Sequence, residues 1–343
     1  ALAIIDDDPK LPYRISSGAS YVIGASANRS ATWQLEKSTN NSTWSVAESP
    51  TGLAGQYTFN RTALLSEHNN YWRVKATSGS QVAYTPSRQM QVESPRTTGM
   101  PTSSNFASSQ HITFYDGPED QWTAGARIVI PSETTDKTLG FWAVQVDWLD
   151  QNDNPVGGAH LGLQIHDGHP NNHAVNWGGY NNLGAELSGT GSDLPSATSN
   201  PNTRDYDWSV GKKYELSIYQ VPLTSGGTYE GEPLAGKWAG AIYDPALNHF
   251  QVIRFLEAPG ATKIAPRLTL FSEQFVDCDE ESRVCEWSRP FVGNSPQWRP
   301  TTGYVTYQSY ADGGCTNTNT EIISGGTGWR MKTNATRVNH YGL

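Results

Sequence analysis

The sequence predicts an all-β protein built of two sandwich-like domains, and three observations carry that prediction. No apolar i, i+3, i+4, i+7 pattern runs for three turns, so amphipathic helices are not expected. Alternation recurs instead, in Tyr71-Trp72-Arg73-Val74-Lys75-Ala76, in Trp142/Val144/Val146/Trp148 and in Tyr214/Leu216/Ile218. Turn clusters separate these runs, drawn from 33 Gly and 20 Pro with many Asn and Asp. A length of 343 residues favours two domains at roughly 150 residues each. The 12 Trp, 16 Tyr and 9 Phe supply core material although hydrophobic residues make up only 36%.

In chain order, residues 1–10 form a tail or strand. Ala1-Leu2-Ala3-Ile4-Ile5 is a short apolar run ahead of Asp6-Asp7-Asp8. It can pair as an edge strand on its own domain, or be donated to a neighbouring subunit to give a homo-oligomer or filament. Residues 11–95 have the size of a seven-strand sandwich. There Trp33-Gln34-Leu35-Glu36-Lys37-Ser38 turns into Thr43-Trp44-Ser45-Val46, and the last strand follows Tyr84-Thr85-Pro86-Ser87. Residues 96–107 are polar, Pro-punctuated and nonperiodic, a linker by composition. Residues 108–343 offer strands at 122–130, 141–149, 160–166, 214–219, 237–243, 250–255, 268–271 and 283–287. These suffice for two packed sheets, one of them curved into a cleft.

Through Trp33, Thr43-Trp44 and the Tyr71–Ala76 strand, the first segment resembles the immunoglobulin-like and fibronectin-type modules of secreted bacterial proteins. That resemblance implies a spacer or adhesive unit. In the second segment, Gly140-Phe141-Trp142-Ala143-Val144-Gln145 leads to Leu161-Gly162-Leu163-Gln164, then to Trp208-Ser209-Val210-Gly211-Lys212-Lys213-Tyr214. Gly236-Lys237-Trp238-Ala239-Gly240 and Leu270-Phe271-Ser272-Glu273-Gln274-Phe275 follow. In that order the motifs resemble a secreted bacterial family catalogued only as a domain of unknown function, often found behind another β module. The resemblance implies a concanavalin-like or jelly-roll sandwich in an extracellular setting, with no established activity. Insertions at 166–182 and 222–236 depart from the family, and function is sought there.

Lys+Arg 24 against Asp+Glu 33 gives a net charge of −9 with no basic run, which argues against nucleic acid and anionic membranes. No stretch approaches the ~20 apolar residues of a membrane span. A chain starting at Ala1 suits a processed protein, secreted or held at the cell surface. Cys278 and Cys285 flank the polar turn Asp279-Glu280-Glu281-Ser282, a spacing that suits a disulfide closing a hairpin. Cys315 is then a free thiol or a link to another chain. Sequons at Asn28, Asn40, Asn41, Asn60 and Asn334 arise readily by chance in a chain rich in Asn, Ser and Thr.

The strand 160–166 alternates strictly, so His160, Gly162, Gln164 and His166 share a face. Lys237, Ala239, Ala241 and Tyr243 share another. The following loop adds His169, His173, Trp177, Tyr180, Asn181 and Asn182. Hydrogen-bonding groups beside flat aromatics are what a sugar cleft needs, although the outer face of any antiparallel sheet is polar. The expected contacts are His160, Gln164, His166, Trp177, Tyr180, Asn181 and Tyr243, lining one groove. The expected function is non-catalytic binding of a glycan or cell-surface polymer. A filament subunit using Ala1–Ile5 is one alternative. A polysaccharide lyase is the other: Gln164-Ile165-His166 and Lys237–Tyr243 resemble the Gln-Ile-His and Lys-Ala-Gly-x-Tyr signatures of jelly-roll lyases. That resemblance implies Gln164 and His166 at a uronate, Tyr243 as the acid and Lys237 beside it, but the family's Arg-x-Glu-Leu-Arg strand is missing.

His160, His166, His169 and His173 stand close enough in sequence for a metal, but histidines in turn-rich loops are commoner than metal ligands, and no metal is expected. Asp150-Gln151-Asn152-Asp153-Asn154 spaces oxygens as calcium loops do, with Pro155 where such a loop wants Gly; a hairpin turn is favoured and no cofactor beyond that calcium option is implied. Among the acids, Glu186, Asp205, Asp207 and Glu273 are available for hydrolysis, and nothing in their spacing selects a pair.

Overall fold

The computed structural model describes residues 1–6, 14–294, 297–323 and 328–338. Alternating sequence becomes strand throughout. No α-helix occurs among the described residues, and the only helical turns there are short 3-10 segments at Leu65–Glu67 and Pro170–Asn172. Among the described residues no helix is long and apolar enough to cross a membrane. The chain divides into two compact units, Ala1–Arg96 with Ser309–Ala311, and Thr97–Gln308 with Asp312–Val338.

The smaller unit holds β1 (Ile4–Asp6), β2 (Arg14–Ser16), β3 (Ser20–Ser38), β4 (Ser45–Glu48), β5 (Ala54–Thr62), β6 (Asn70–Ser78), β7 (Gln81–Tyr84) and β8 (Arg88–Glu93). Long β3 pairs with β5 through its first half and with β6 through its second. Its inward residues Tyr21, Ile23, Trp33 and Leu35 meet Phe59, Trp72 and Val74 in the core. The apolar N-terminal run is spoken for within the chain: Ile4 pairs with Ala27, Leu2 joins the core, and the Leu2 N–H donates to Gln81 Oε1 at 2.8 Å. This corrects the reading of Ala1–Ile5 as a strand donated to another subunit.

In the larger unit come β9 (Ser108–Phe114), β10 (Thr123–Val129), β11 (Gly140–Leu149), β12 (Pro155–Ile165), β13 (His173–Asn181), β14 (Thr203–Asp205) and β15 (Lys213–Gln220). They are followed by β16 (Thr228–Tyr229), β17 (Glu232–Pro233), β18 (Trp238–Asp244), β19 (His249–Leu256) and β20 (Lys263–Ile264). The last are β21 (Leu268–Gln274), β22 (Val284–Val292), β23 (Tyr304–Tyr307), β24 (Asn319–Ile322) and β25 (Gly328–Lys332). One sheet runs β19-β18-β15-β10-β22-β25-β24, the other β14-β13-β12-β11-β21-β9-β23. Between them lies a single large core that includes Trp142, Trp148, Trp177, Trp208, Trp238 and Trp287. The Asp150 run is a hairpin turn, with Asp150 Oδ1 accepting the N–H groups of Asn152 and Asn154 at 2.7 and 2.9 Å.

The disulfide joins Cys278 to Cys315, not to Cys285, and spans 37 residues. Cys285 sits two places before Trp287 on β22, so both point into the core, where Cys285 is a buried free thiol. A strand residue facing inward cannot reach back across its own hairpin turn, which corrects the Cys278–Cys285 pairing.

Candidate functional site

Because Trp142, Val144, Val146 and Trp148 fill the core, Phe141, Ala143, Gln145 and Asp147 of β11 face outward. The register on either side builds rows across the sheet. Phe141 pairs with Gln164 on one flank and Glu273 on the other, and Glu273 pairs with Ser109. The next row is Gly162, Ala143, Phe271 and His111; the third is His160, Gln145, Thr269 and Thr113. The middle row carries small residues on two strands for a reason. A Cβ at Gly162 would collide with the Trp142 carbonyl and the Ala143 side chain. In the space left, Phe141 packs edge-on against Phe271 and His160, each at 5.4 Å between ring centres.

Glu273 is the carboxyl of this face that matters chemically. Its Oε1 accepts Ser109 Oγ and Asn105 Nδ2, both at 3.2 Å. Its Oε2 has no hydrogen-bond partner among the described residues and is not sealed off. Burial pushes its proton affinity above the ordinary carboxylate value, against the pull of those two donors. Across Phe141, Gln164 is 6% exposed, and its Oε1 is buried without a partner. Burial lowers His111 to about 4 and His160 to about 4, so both imidazoles stay neutral at ordinary pH.

Of the residues expected to form one groove, His160, Tyr180 and Asn181 line a common cavity and the others do not join them. His160 and Gln164 belong to the face just described. Trp177 is registered with Leu161 and points into the core, where it crosses to lie against Gly240 of the other sheet. Tyr180 is exposed beside His160, with 6.3 Å between ring centres. Asn181 Oδ1 is occupied in its own turn, accepting the Leu183 and Ala185 N–H groups at 2.9 Å. Lys237 and Tyr243 lie on the outer side of the opposite sheet. There Lys237 Nζ meets Glu257 at 2.6 Å and the Tyr243 hydroxyl donates to Asn248 Oδ1 at 2.9 Å. The two outward sets sit on opposite sides of the sandwich, which removes both the shared sugar groove and the lyase constellation of Gln164, His166, Tyr243 and Lys237.

The histidines of the 166–182 insertion fasten the hairpin end. His169 Nδ1 contacts Asp205 Oδ1 at 2.5 Å. His173 bridges Glu133 at 2.7 Å and Asp207 at 3.1 Å while stacking on Trp208, 3.9 Å between centres. His166 accepts the Gly168 N–H and packs on the His169 ring. Among the described residues no three His, Cys, Asp or Glu are grouped to hold a metal ion. Sequence reading gave no site role to Asn105, Ser109, His111, Phe141 or Phe271. The alternation of Ser109, His111 and Thr113 was the available signal.

No protein-family model matches the sequence, and no curated protein matches it. Solved structures similar to it include scytalido-glutamic peptidase with a peptide-based transition-state analogue, at 10% identity over 68% of this chain and 98% of that one, TM-score 0.37. Another is SCP-B, an eqolisin-family peptidase in complex with the tripeptide Ala-Ile-His, at 10% identity over 68% and 98% of the chains, TM-score 0.36. A further structure of scytalido-glutamic peptidase, with a transition-state analogue inhibitor, matches at 12% identity over 68% and 98%, TM-score 0.33. The contacts chosen for a non-catalytic glycan or surface binder are divided, with Trp177 in the core and Tyr243 on the sheet opposite His160 and Gln164; that expectation is corrected.

Proposed function

We propose that the larger unit is a hydrolase of amide bonds in polypeptides, working on the acid side of neutrality with Glu273 as its acid–base group. The reading rests on the state of that carboxyl and not on likeness to the peptidases. One oxygen is fixed by Ser109 and Asn105, the other is open, and burial favours the proton, so Glu273 can both take and return one near the working pH. Ionised Glu273 accepts a proton from water as the water oxygen bonds to the amide carbon. The same proton then passes to the nitrogen as the C–N bond breaks, and a leaving amine needs that protonation more than an ester alkoxide does. Gln164 stands two strand spacings away, about 10 Å between backbones, with the Phe141 ring on the strand between them, so a peptide carbonyl would lie over that ring. Its side-chain amide can donate to the developing oxyanion.

Two-carboxylate glycoside hydrolysis fits poorly. Asp147, further along the same face, is about 20 Å from Phe141 at the usual rise per residue, well beyond a glycosidase pair. It is also held by Arg267 Nε at 2.7 Å. The Cys278–Cys315 disulfide supports an oxidising, extracellular setting. The pairing around β3 supports an immunoglobulin-like spacer in the smaller unit.

The test is incubation of the full chain with unfolded protein and fluorogenic peptides from acid to neutral pH. Cleavage is expected, and Glu273→Gln should lower kcat/KM at least about a hundredfold. No cleavage by the wild type at any pH, or undiminished cleavage by the variant, overturns the reading.

A further inference from the structure

The face that carries Glu273 runs on into a cavity of about 970 Å³ lined by Tyr115, Asp116, Glu119, Gln145, Asp147 and Tyr180, among others. We infer that this cavity receives a basic side chain, Lys or Arg, of the polypeptide substrate several residues from the bond cleaved; the inference rests on the hydrolase reading above.

Position comes first. Gln145 and Asp147 lie on β11 about 13 and 20 Å beyond Phe141, the residue opposite Glu273. An extended peptide covers about 3.3 Å per residue, so a side chain roughly four to six positions from the scissile bond reaches the cavity. Charge comes second. Asp147 is already compensated by Arg267 at 2.7 Å. Asp116 and Glu119 are exposed and have no ion-pair or side-chain hydrogen-bond partner among the described residues, so the cavity is left with uncompensated negative charge.

Shape comes third. Tyr115 and Tyr180 are 47% and 49% exposed, and both line the cavity. Open tyrosine faces attract a cation, and the alkyl stem of Lys or Arg packs on them while its charged head reaches a carboxylate. Gly157 and Gly158 contribute no side chain to the floor; a Cβ at Gly157 would strike the Tyr180 carbonyl. Gln145, with no partner among the described residues, can accept from a guanidinium or ammonium group.

The probe is a pair of fluorescein-labelled peptides of about twelve residues, with Arg or Gln five positions to either side of the centre. Binding is read by anisotropy on full-length Glu273→Gln protein. The Arg peptide is expected to bind roughly five- to tenfold tighter, with the preference shrinking at high salt. Adding Asp116→Asn and Glu119→Gln should bring the ratio close to one. Equal affinities, or a preference that survives the double substitution, overturn the inference. Should wild type cleave both peptides with the same kcat/KM, the subsite falls and the hydrolase reading stands. Should the Arg peptide bind through Asp116 and Glu119 while wild type cleaves neither peptide, the hydrolase reading falls and the cavity remains a basic-peptide site.

Discussion

The two outer faces of the larger unit are made by the same alternation, yet their polar groups end in opposite conditions. On the β10–β22–β25 side the charges answer one another across strands: Arg127 with Glu215 at 2.8 Å, Arg330 with Glu286 at 2.5 Å, Lys332 with Glu321 at 2.7 Å. On the β11–β12–β21 side Glu273 keeps one oxygen open, Gln164 has an orphan carbonyl, and two imidazoles are held neutral. Polar residues on a sheet exterior are ordinary. A polar atom left without a hydrogen-bond partner is the informative case.

The comparison breaks if Glu273→Gln does not separate activity from stability. Activity should fall about 10²- to 10⁴-fold. Stability at neutral pH should rise, because the folded carboxyl holds its proton to higher pH than the unfolded one does. Between the two pKa values the unfolded state binds fewer protons, so wild-type stability falls as pH rises through that window, and the amide escapes the loss. Urea denaturation at pH 5 and pH 8 checks this; an advantage for the variant that is larger at the acid end would contradict it.

A smaller effect concerns the neutral histidines. With His111 and His160 lowered by burial from 6.5 to about 4, the unfolded state binds more protons below about 6.5. Stability is therefore present above that pH and lost as pH falls toward about 4. Replacing both by Gln should flatten the acid limb of the melting-temperature profile, and an unchanged limb would place acid sensitivity elsewhere.

Ser109→Ala sharpens the contrast further. Losing a donor that favours the carboxylate raises Glu273, so the acid limb of the kcat/KM profile should move alkaline. A limb that stays put detaches Ser109 from the chemistry. Smallest of all, Glu286→Gln on the other face should cost under about 1 kcal/mol, since that pair is partly exposed, and leave kcat/KM within about twofold.

Alternation made the strand 160–166 and its outward set legible, because side-chain direction is a local property. It could not say which sheet 237–243 joins. Both exteriors are polar, so Tyr243 looked as if it belonged with Gln164 when it lies behind the molecule. Trp177 was read as part of a loop. His173–Asn181 is a strand, and its register with β12 sends the indole inward. Glu273 was visible as an acid without a role, since its partners Ser109 and Asn105 lie 164 and 168 residues away and only the β9–β21 pairing unites them. For Cys285, the signal was its parity with Trp287, which outweighs convenient spacing.

The cysteine arrangement has a consequence for how the chain is made. Cys278–Cys315 closes a 37-residue loop worth about 3–4 kcal/mol by loop entropy, and the Cys315 N–H is anchored on Ser108 Oγ at 3.1 Å, next to the strand position that holds Glu273. In an unstructured chain Cys278 meets the nearer Cys285 more often, and only insertion of β22 into the core puts that thiol out of reach. Oxidant supplied before β22 docks would therefore trap misbridged molecules, and Cys285→Ala should raise the refolding yield in which oxidation is fast.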